Sequence, residues 1–145
     1  MKFTVYSVGR ERADAASPLT ADYLSRISKF FAVEDTVLRQ DRDDKIAARI
    51  LQKTEGDLLI ALDERGKMMD SHQFSSLIGS WMNTGVAKVS FVIGGADGLP
   101  EEIRKKANFL LALSRMTLPH RLAKLFLAEQ LYRGLCILRN IPYQK

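Results

Sequence analysis

The spacing of hydrophobic and polar positions changes several times along the chain, and each change marks an element. Residues 2–9 (KFTVYSVG) alternate and are rich in β-branched and aromatic side chains, which predicts an opening strand. In residues 17–32 (SPLTADYLSRISKFFA), Leu19, Tyr23, Leu24, Ile27 and the Phe30–Phe31 pair fall at helical spacing. Ser17 is placed to cap that helix and Pro18 suits its first turn. A short strand is expected at 35–39 (DTVLR), then a charged helix at 43–54 (DDKIAARILQKT) closed by Gly56. Residues 57–64 (DLLIALDE) form the continuous apolar run of a strand buried on both faces. A loop (ERGKMMDS), a helix (SHQFSSLIGSWMNTG) and a strand (AKVSFVIGG) follow. After ADGLP come a basic helical turn, a further strand in NFLLALSRM, and a long helix ending near Asn140. Strands alternating with helices at this spacing predict an α/β fold, a parallel sheet covered on both faces. With no repeat, linker or low-complexity stretch, the expectation is a single domain spanning residues 1–145.

In such a sheet, ligands bind beyond the C-terminal ends of the strands. Three loops leave those ends: after Leu62, after Ile93, and from Ser114 to Pro119. Gly94, Gly95 and Gly98 let the middle loop turn sharply and bring its amides close to a ligand, although Gly-Gly after a strand is often only a tight turn. Two nucleotide fingerprints are absent. The opening strand runs into SVGRERAD rather than G-x-G-x-x-G, and ERGKMM lacks the hydroxyl of a phosphate-binding loop. His72 and His120 have no paired ligand at metal-site spacing and Cys136 is alone, so no metal is expected. No nucleophile elbow accompanies His120. No apolar run nears the roughly 20 residues of a membrane helix, and the first residues lack a secretory pattern, so the cytoplasm is the expected compartment.

Charge divides the chain unevenly. Residues 1–100 hold 13 Lys and Arg against 14 Asp and Glu, a net of −1, whereas residues 101–145 hold 9 against 3, a net of +6. Such an excess points to an anionic partner, most often nucleic acid, or else to a solvated basic helix face. The last helix is apolar around more than one face, through Leu122, Leu125, Phe126, Ala128, Leu131, Tyr132, Leu135 and Cys136. A surface helix needs one buried stripe. A helix of this kind is expected to pack on its own sheet and on a second body, with a homodimer the economical choice. Glu129 precedes Arg133 by four residues, the favourable order for a helical ion pair.

The segments VYSVGR, LIALDERGK, FVIGGADGL, SRMTLPHRLAKLFLAEQLYRG and NIPYQK occur in that order. In this combination, and over essentially its whole length, the chain resembles the SPOUT (α/β-knot) class of methyltransferases. Within that class it is similar to a small bacterial family that methylates N3 of a pseudouridine in large-subunit (23S) ribosomal RNA. The resemblance implies a deep C-terminal trefoil knot, S-adenosyl-L-methionine as cofactor, a homodimer with the cofactor between subunits, and assembled ribosomes as substrate. Carried over by position, the cofactor contacts are Leu62, Gly95, Ser114, Arg115, Met116, Thr117, Leu118 and Pro119, on the three loops the sheet argument singles out.

Methylation at N3 requires that nitrogen to be aligned with the methyl group and to lose its proton. His120 is a candidate proton acceptor, with loop shaping as its competing role. Arg133 is a candidate for neutralising charge on the base or binding phosphate, against simple bracing by Glu129. Tyr143 is the third candidate. The family's usual ending is Tyr-His and a basic residue, whereas this chain ends Tyr143-Gln144-Lys145. If that histidine accepts the proton, Gln144 cannot replace it; the favoured expectation is that Tyr143 and Lys145 close the site over RNA. The alternative is a non-catalytic ribosome- or RNA-binding protein on the same scaffold.

Overall fold

The computed structural model describes residues 1–10 and 12–143. In chain order its elements are β1 (Lys2–Val8), α1 (Ala16–Ile27), β2 (Ala32–Leu38), α2 (Asp43–Lys53), β3 (Leu58–Lys67), α3 (Ser71–Asn83), β4 (Lys88–Ile93), α4 (Glu101–Lys106), β5 (Phe109–Leu111) and α5 (His120–Leu138). The strands form one parallel sheet in the order β2-β1-β4-β3-β5.

Side chains alternate across a strand, and the two resulting sets fill two cores. Phe3 and Val5 of β1, Ile60 of β3, and Val89, Phe91 and Ile93 of β4 meet Ile27 of α1, Phe74, Ile78 and Trp81 of α3, and Leu127, Leu131 and Leu135 of α5. Val8, Leu59, Ala61 and Val92 point the other way, onto Ile46, Ala47 and Ile50 of α2 and Ile103 of α4. Burial on both faces explains why β3 and β4 read as unbroken apolar runs. Helix α5 lies between α1 and α3, beneath β1 and β4. Ser75 donates to the Gly134 carbonyl at 2.9 Å and Ser71 to Gln130 at 2.7 Å, which fixes α3 against it.

Four local expectations change. Helix α1 starts at Ala16 and not after Ser17: Asp14 accepts from the Ala16 amide at 3.0 Å, and the Ser17 hydroxyl accepts from the Asp14 amide at 3.1 Å. The same helix stops at Ile27, so Phe30 and Phe31 pack on the first core from a turn. Strand β3 extends through Lys67, into what reads as loop. Strand β5 is only three residues long, because the chain leaves the sheet at Ala112 to return toward α5. The start of α3 is capped by Asp70, whose carboxylate accepts from the Gln73 amide while Gln73 reaches back to the Asp70 amide, a reciprocal capping box.

Candidate active site

All five strands end on one edge, and there the ends of β3, β4 and β5 surround a cleft of about 550 Å³, the size of a small-ligand pocket. One side is Leu62, Asp63, Glu64 and Arg65 after the paired part of β3. A second is the loop from Ile93 to Leu99, with Arg104 of α4 beside it. The third is Leu113, Ser114 and Met116 to Leu118, with Ala123 of α5. The middle loop folds tightly on itself through a bridge between Gly95 and Gly98. A Cβ on Gly94 would lie 2.5 Å from the Gly98 carbonyl carbon and 2.6 Å from the Leu99 nitrogen, so only glycine permits this turn. The next residue abuts the ends of the neighbouring strands, since a Cβ on Gly95 would lie 3.0 Å from the Val8 carbonyl oxygen and 2.9 Å from Gln40 Oε1.

The cleft carries three carboxylates, Asp63, Glu64 and Asp97, against two guanidiniums, Arg65 and Arg104. Asp63 is the best enclosed, its side chain only 5% exposed. It accepts from the Arg65 amide at 2.8 Å, from Arg65 Nε at 3.2 Å, and from Arg104 Nε. Burial alone would raise its pKa, but the hydrogen bonds from Arg65 and Arg104 and the Arg104 charge outweigh it and hold the group down at about 2. Asp63 is therefore an anion at neutral pH. Leu62, Ile93, Leu99 and Leu118 supply apolar surface among these charges.

Of the eight residues expected to hold the cofactor, Leu62, Gly95, Ser114, Met116, Thr117 and Leu118 line this cleft, while Arg115 and Pro119 do not. The Arg115 side chain turns outward onto backbone carbonyls of β3, and Pro119 immediately precedes α5. None of the three candidate catalytic residues lines the cleft. His120 opens α5, with Nε2 buried and without a hydrogen-bond partner among the described residues. Arg133 sits 13 residues further along α5, a rise of about 20 Å. It donates to Glu129 at 2.6 Å, and the Glu129 carboxylate raises its pKa. The Tyr143 hydroxyl lies 2.9 Å from both Glu129 Oε2 and the Tyr23 hydroxyl, and its ring stacks edge-on with Tyr132 under the Arg133 guanidinium. Burial, then the bonds to Tyr23 and Glu129, push the Tyr143 phenol well above its ordinary range. Gln144 and Lys145 lie outside the described residues.

Sequence reasoning passes over Asp63, Glu64, Arg65, Asp97 and Arg104. Asp63 had a signal available, an acid directly after Leu62 at a strand end; Arg104 had none, since its pairing spans 41 residues. The basic excess of the last third is also partly offset by acids elsewhere in the chain. Arg104 pairs with Asp63 and Glu101, Lys106 with Glu102, Arg121 with Asp14, Lys124 with Asp35, and Arg133 with Glu129. The outer face of α5 instead exposes Leu122 (47%) and Phe126 (40%) one turn apart, close to a hollow of about 210 Å³ lined by Phe74, Leu111, Leu113 and Gln130.

A parallel sheet with a cofactor-sized cleft at its C-terminal edge defines a ligand-binding α/β protein, and comparison with known proteins names the class. The family model described as "Predicted SPOUT methyltransferase" matches residues 1–144. The chain belongs to the SPOUT methyltransferase family and is a methyltransferase. Within that class its relatives include proteins named ribosomal RNA large subunit methyltransferase H. That of Rhodospirillum centenum is 38% identical over 155 aligned residues, covering 100% of this chain and 99% of the relative. That of Anaeromyxobacter sp. (strain Fw109-5) is 41% identical over 154, covering 100% of both. Among solved structures, a probable methyltransferase from Bordetella pertussis Tohama I superposes with a TM-score of 0.60 at 10% identity, over 92% of this chain and 95% of that one. At that identity the likeness concerns the fold alone.

Proposed function

We propose that this chain transfers a methyl group from S-adenosyl-L-methionine to N3 of a pseudouridine in large-subunit ribosomal RNA, acting as a homodimer on assembled ribosomes in the cytoplasm. The observation that carries the proposal is the cleft itself. Six of the eight residues carried over by resemblance, on three loops separate in sequence, converge on one pocket, in a chain matched end to end by relatives named for large-subunit rRNA methylation. Whole-length similarity to named enzymes favours this reading over the non-catalytic one.

The cleft suits the cofactor on two counts. Its three carboxylates against two guanidiniums favour a cation such as a sulfonium. The Gly94 turn brings backbone within reach of a flat purine, with Leu62 and Leu118 available to cover its faces. When bound, S-adenosylmethionine supplies an electrophilic methyl group at its sulfonium; the chain has to orient the target nitrogen and manage its proton. The threading of a trefoil knot belongs to the same reading. Its support is the path of the chain, which leaves edge strand β5, runs past residues 63–67 and packs α5 beneath β1 and β4.

Two observations support the dimer. Leu122 and Phe126 leave apolar surface on the outer face of α5, and Met116, 78% exposed, adds to it at the cleft mouth. Glu129 and Arg133 also stand 6 and 10 residues beyond Ala123 of the cleft, about 9 and 15 Å of helix along α5, with Tyr143 held against them. Arg133 and Tyr143 therefore serve the cleft of a second copy, where the guanidinium offsets negative charge on the base and the tyrosine, fixed by Glu129 and Tyr23, orients it. His120, two residues after Leu118 of the cleft, is the candidate of the same protomer for taking the N3 proton; its Nε2 is buried and unpartnered among the described residues, so a turn of the ring would have to bring it to the cleft. The whole chain, 1–145, acts as one methyltransferase domain. The test is incubation of ribosomes lacking the modification with methyl-labelled cofactor. Label in large-subunit RNA supports the proposal, and cofactor binding without transfer would move the assignment to the non-catalytic alternative.

A further inference from the structure

Between Leu62 and Lys67 the ladder joining β3 to β5 is interrupted. Leu111 is the register partner of both Leu62 and Lys67, so residues 63–66 swing out of the sheet. Three of these four residues, Asp63, Glu64 and Arg65, line the cleft. Such an excursion costs its carbonyls their ladder partners, and each then needs another donor. Arg115 provides it. Its Nη1 donates to the Glu64 carbonyl and, at 2.8 Å, to the Gly66 carbonyl.

The surroundings make this contact specific. From Leu113 to Leu118, Arg115 is the one residue that does not line the cleft, although its neighbours on both sides do. The Thr117 hydroxyl donates to the Glu64 carboxylate at 2.9 Å, so Glu64 is held at its carbonyl by Arg115 and at its side chain by Thr117. The excursion also sits hard against β5, where a Cβ on Gly66 would lie 2.6 Å from the Leu110 carbonyl oxygen. Two sides of the cleft that are 50 residues apart in sequence are thus joined behind the cleft by one guanidinium.

We propose that Arg115 is a positioning residue for the cofactor cleft. Its guanidinium clamps the 63–66 excursion to the 114–118 loop, sets the width of the cleft and aims the Asp63 and Glu64 carboxylates, while touching neither cofactor nor RNA. The proposal rests on the reading of the cleft as the S-adenosylmethionine site. A lysine at this position keeps the charge and several donors on one nitrogen but is shorter by one bond, so its ammonium reaches less well the point from which Nη1 bonds both carbonyls.

The test uses full-length Arg115→Met and Arg115→Lys. Affinity for S-adenosylmethionine is measured by calorimetry without ribosomes, turnover on ribosomes at saturating cofactor, and amide exchange along the chain. Expected are a cofactor Kd raised about tenfold in Arg115→Met and less in Arg115→Lys, with kcat within about twofold of the unaltered protein. Amides of residues 64–67 and 114–118 exchange faster, and those of α1 to α3 do not. An unchanged Kd in Arg115→Met overturns the proposal. So does an unchanged Kd with weakened ribosome binding and a salt slope reduced by about one, the signature of a phosphate contact. Failure of the unaltered protein to bind S-adenosylmethionine would instead refute the cofactor reading beneath it.

Discussion

Replacing Asp63 with asparagine should change the acid stability of the protein by an amount that its surroundings set. The carboxyl is 5% exposed, receives hydrogen bonds from Arg65 and Arg104, and titrates at about 2 against an ordinary 3.8. A gap of that size corresponds to about 2 kcal/mol of folding free energy at neutral pH. Because the folded pKa is depressed, this contribution is fully present above the unfolded value near 4 and is lost as pH falls through the folded value. About half should be gone by pH 3. The assay is urea unfolding of both proteins at pH 7, 5, 4 and 3. Asp63→Asn is expected to be less stable by about 2 kcal/mol at pH 7, where Arg104 and Arg65 lose their counter-charge. The gap should then narrow to about half by pH 3, as the carboxyl of the unfolded chain takes up its proton while the native one stays ionised. Two curves that stay parallel from pH 7 to pH 3 would refute the argument, because they would mean that Asp63 titrates alike in the folded and unfolded chains.

Other consequences can be checked alongside. Gly95→Ala pushes a methyl group to 3.0 Å from the Val8 carbonyl, so its cofactor Kd should rise by at least about tenfold, with a cost of about 1 kcal/mol in thermal unfolding. Phe126→Arg places charge on the outer face of α5 and should shift the protein toward monomer in sedimentation, leaving its circular dichroism unchanged. Arg133→Ala should bind cofactor within about twofold of normal yet lose about a hundredfold in methyl transfer. If the catalytic groups act across the dimer, mixing Arg133→Ala with a cofactor-binding-defective Gly95→Arg subunit should restore part of the activity.

The sheet was legible in the sequence because two-faced burial leaves runs such as DLLIAL and VSFVIG that no amphipathic helix would show. The three loops were legible for a related reason: in a parallel sheet all strand ends share one edge, so finding the ends locates the site. What stayed hidden depended on tertiary pairing. Nothing local in LDERGK says that Leu111 will face both Leu62 and Lys67, yet that double pairing throws Asp63 and Glu64 into the cleft. The basic excess of residues 101–145 left two readings open, an anionic partner or a solvated helix face, and the ion pairs of its side chains were not legible. In the fold, Asp14, Asp35 and Asp63, all from the acidic first part of the chain, engage Arg121, Lys124 and Arg104. The roles proposed for Arg133 and Tyr143 rest on resemblance, since periodicity places Arg133 on a helix and Tyr143 beyond its end but does not say whose cleft they face.

The central claim is the chemistry at the target base. Its most direct test is mass spectrometry of nucleosides from large-subunit RNA, after ribosomes lacking the modification have been incubated with this protein and S-adenosylmethionine. The account predicts one new species, N3-methylpseudouridine, formed about a hundredfold more slowly when Arg133→Ala is used. A methyl group on another base or on a ribose hydroxyl, or no methylated nucleoside at all, would contradict it.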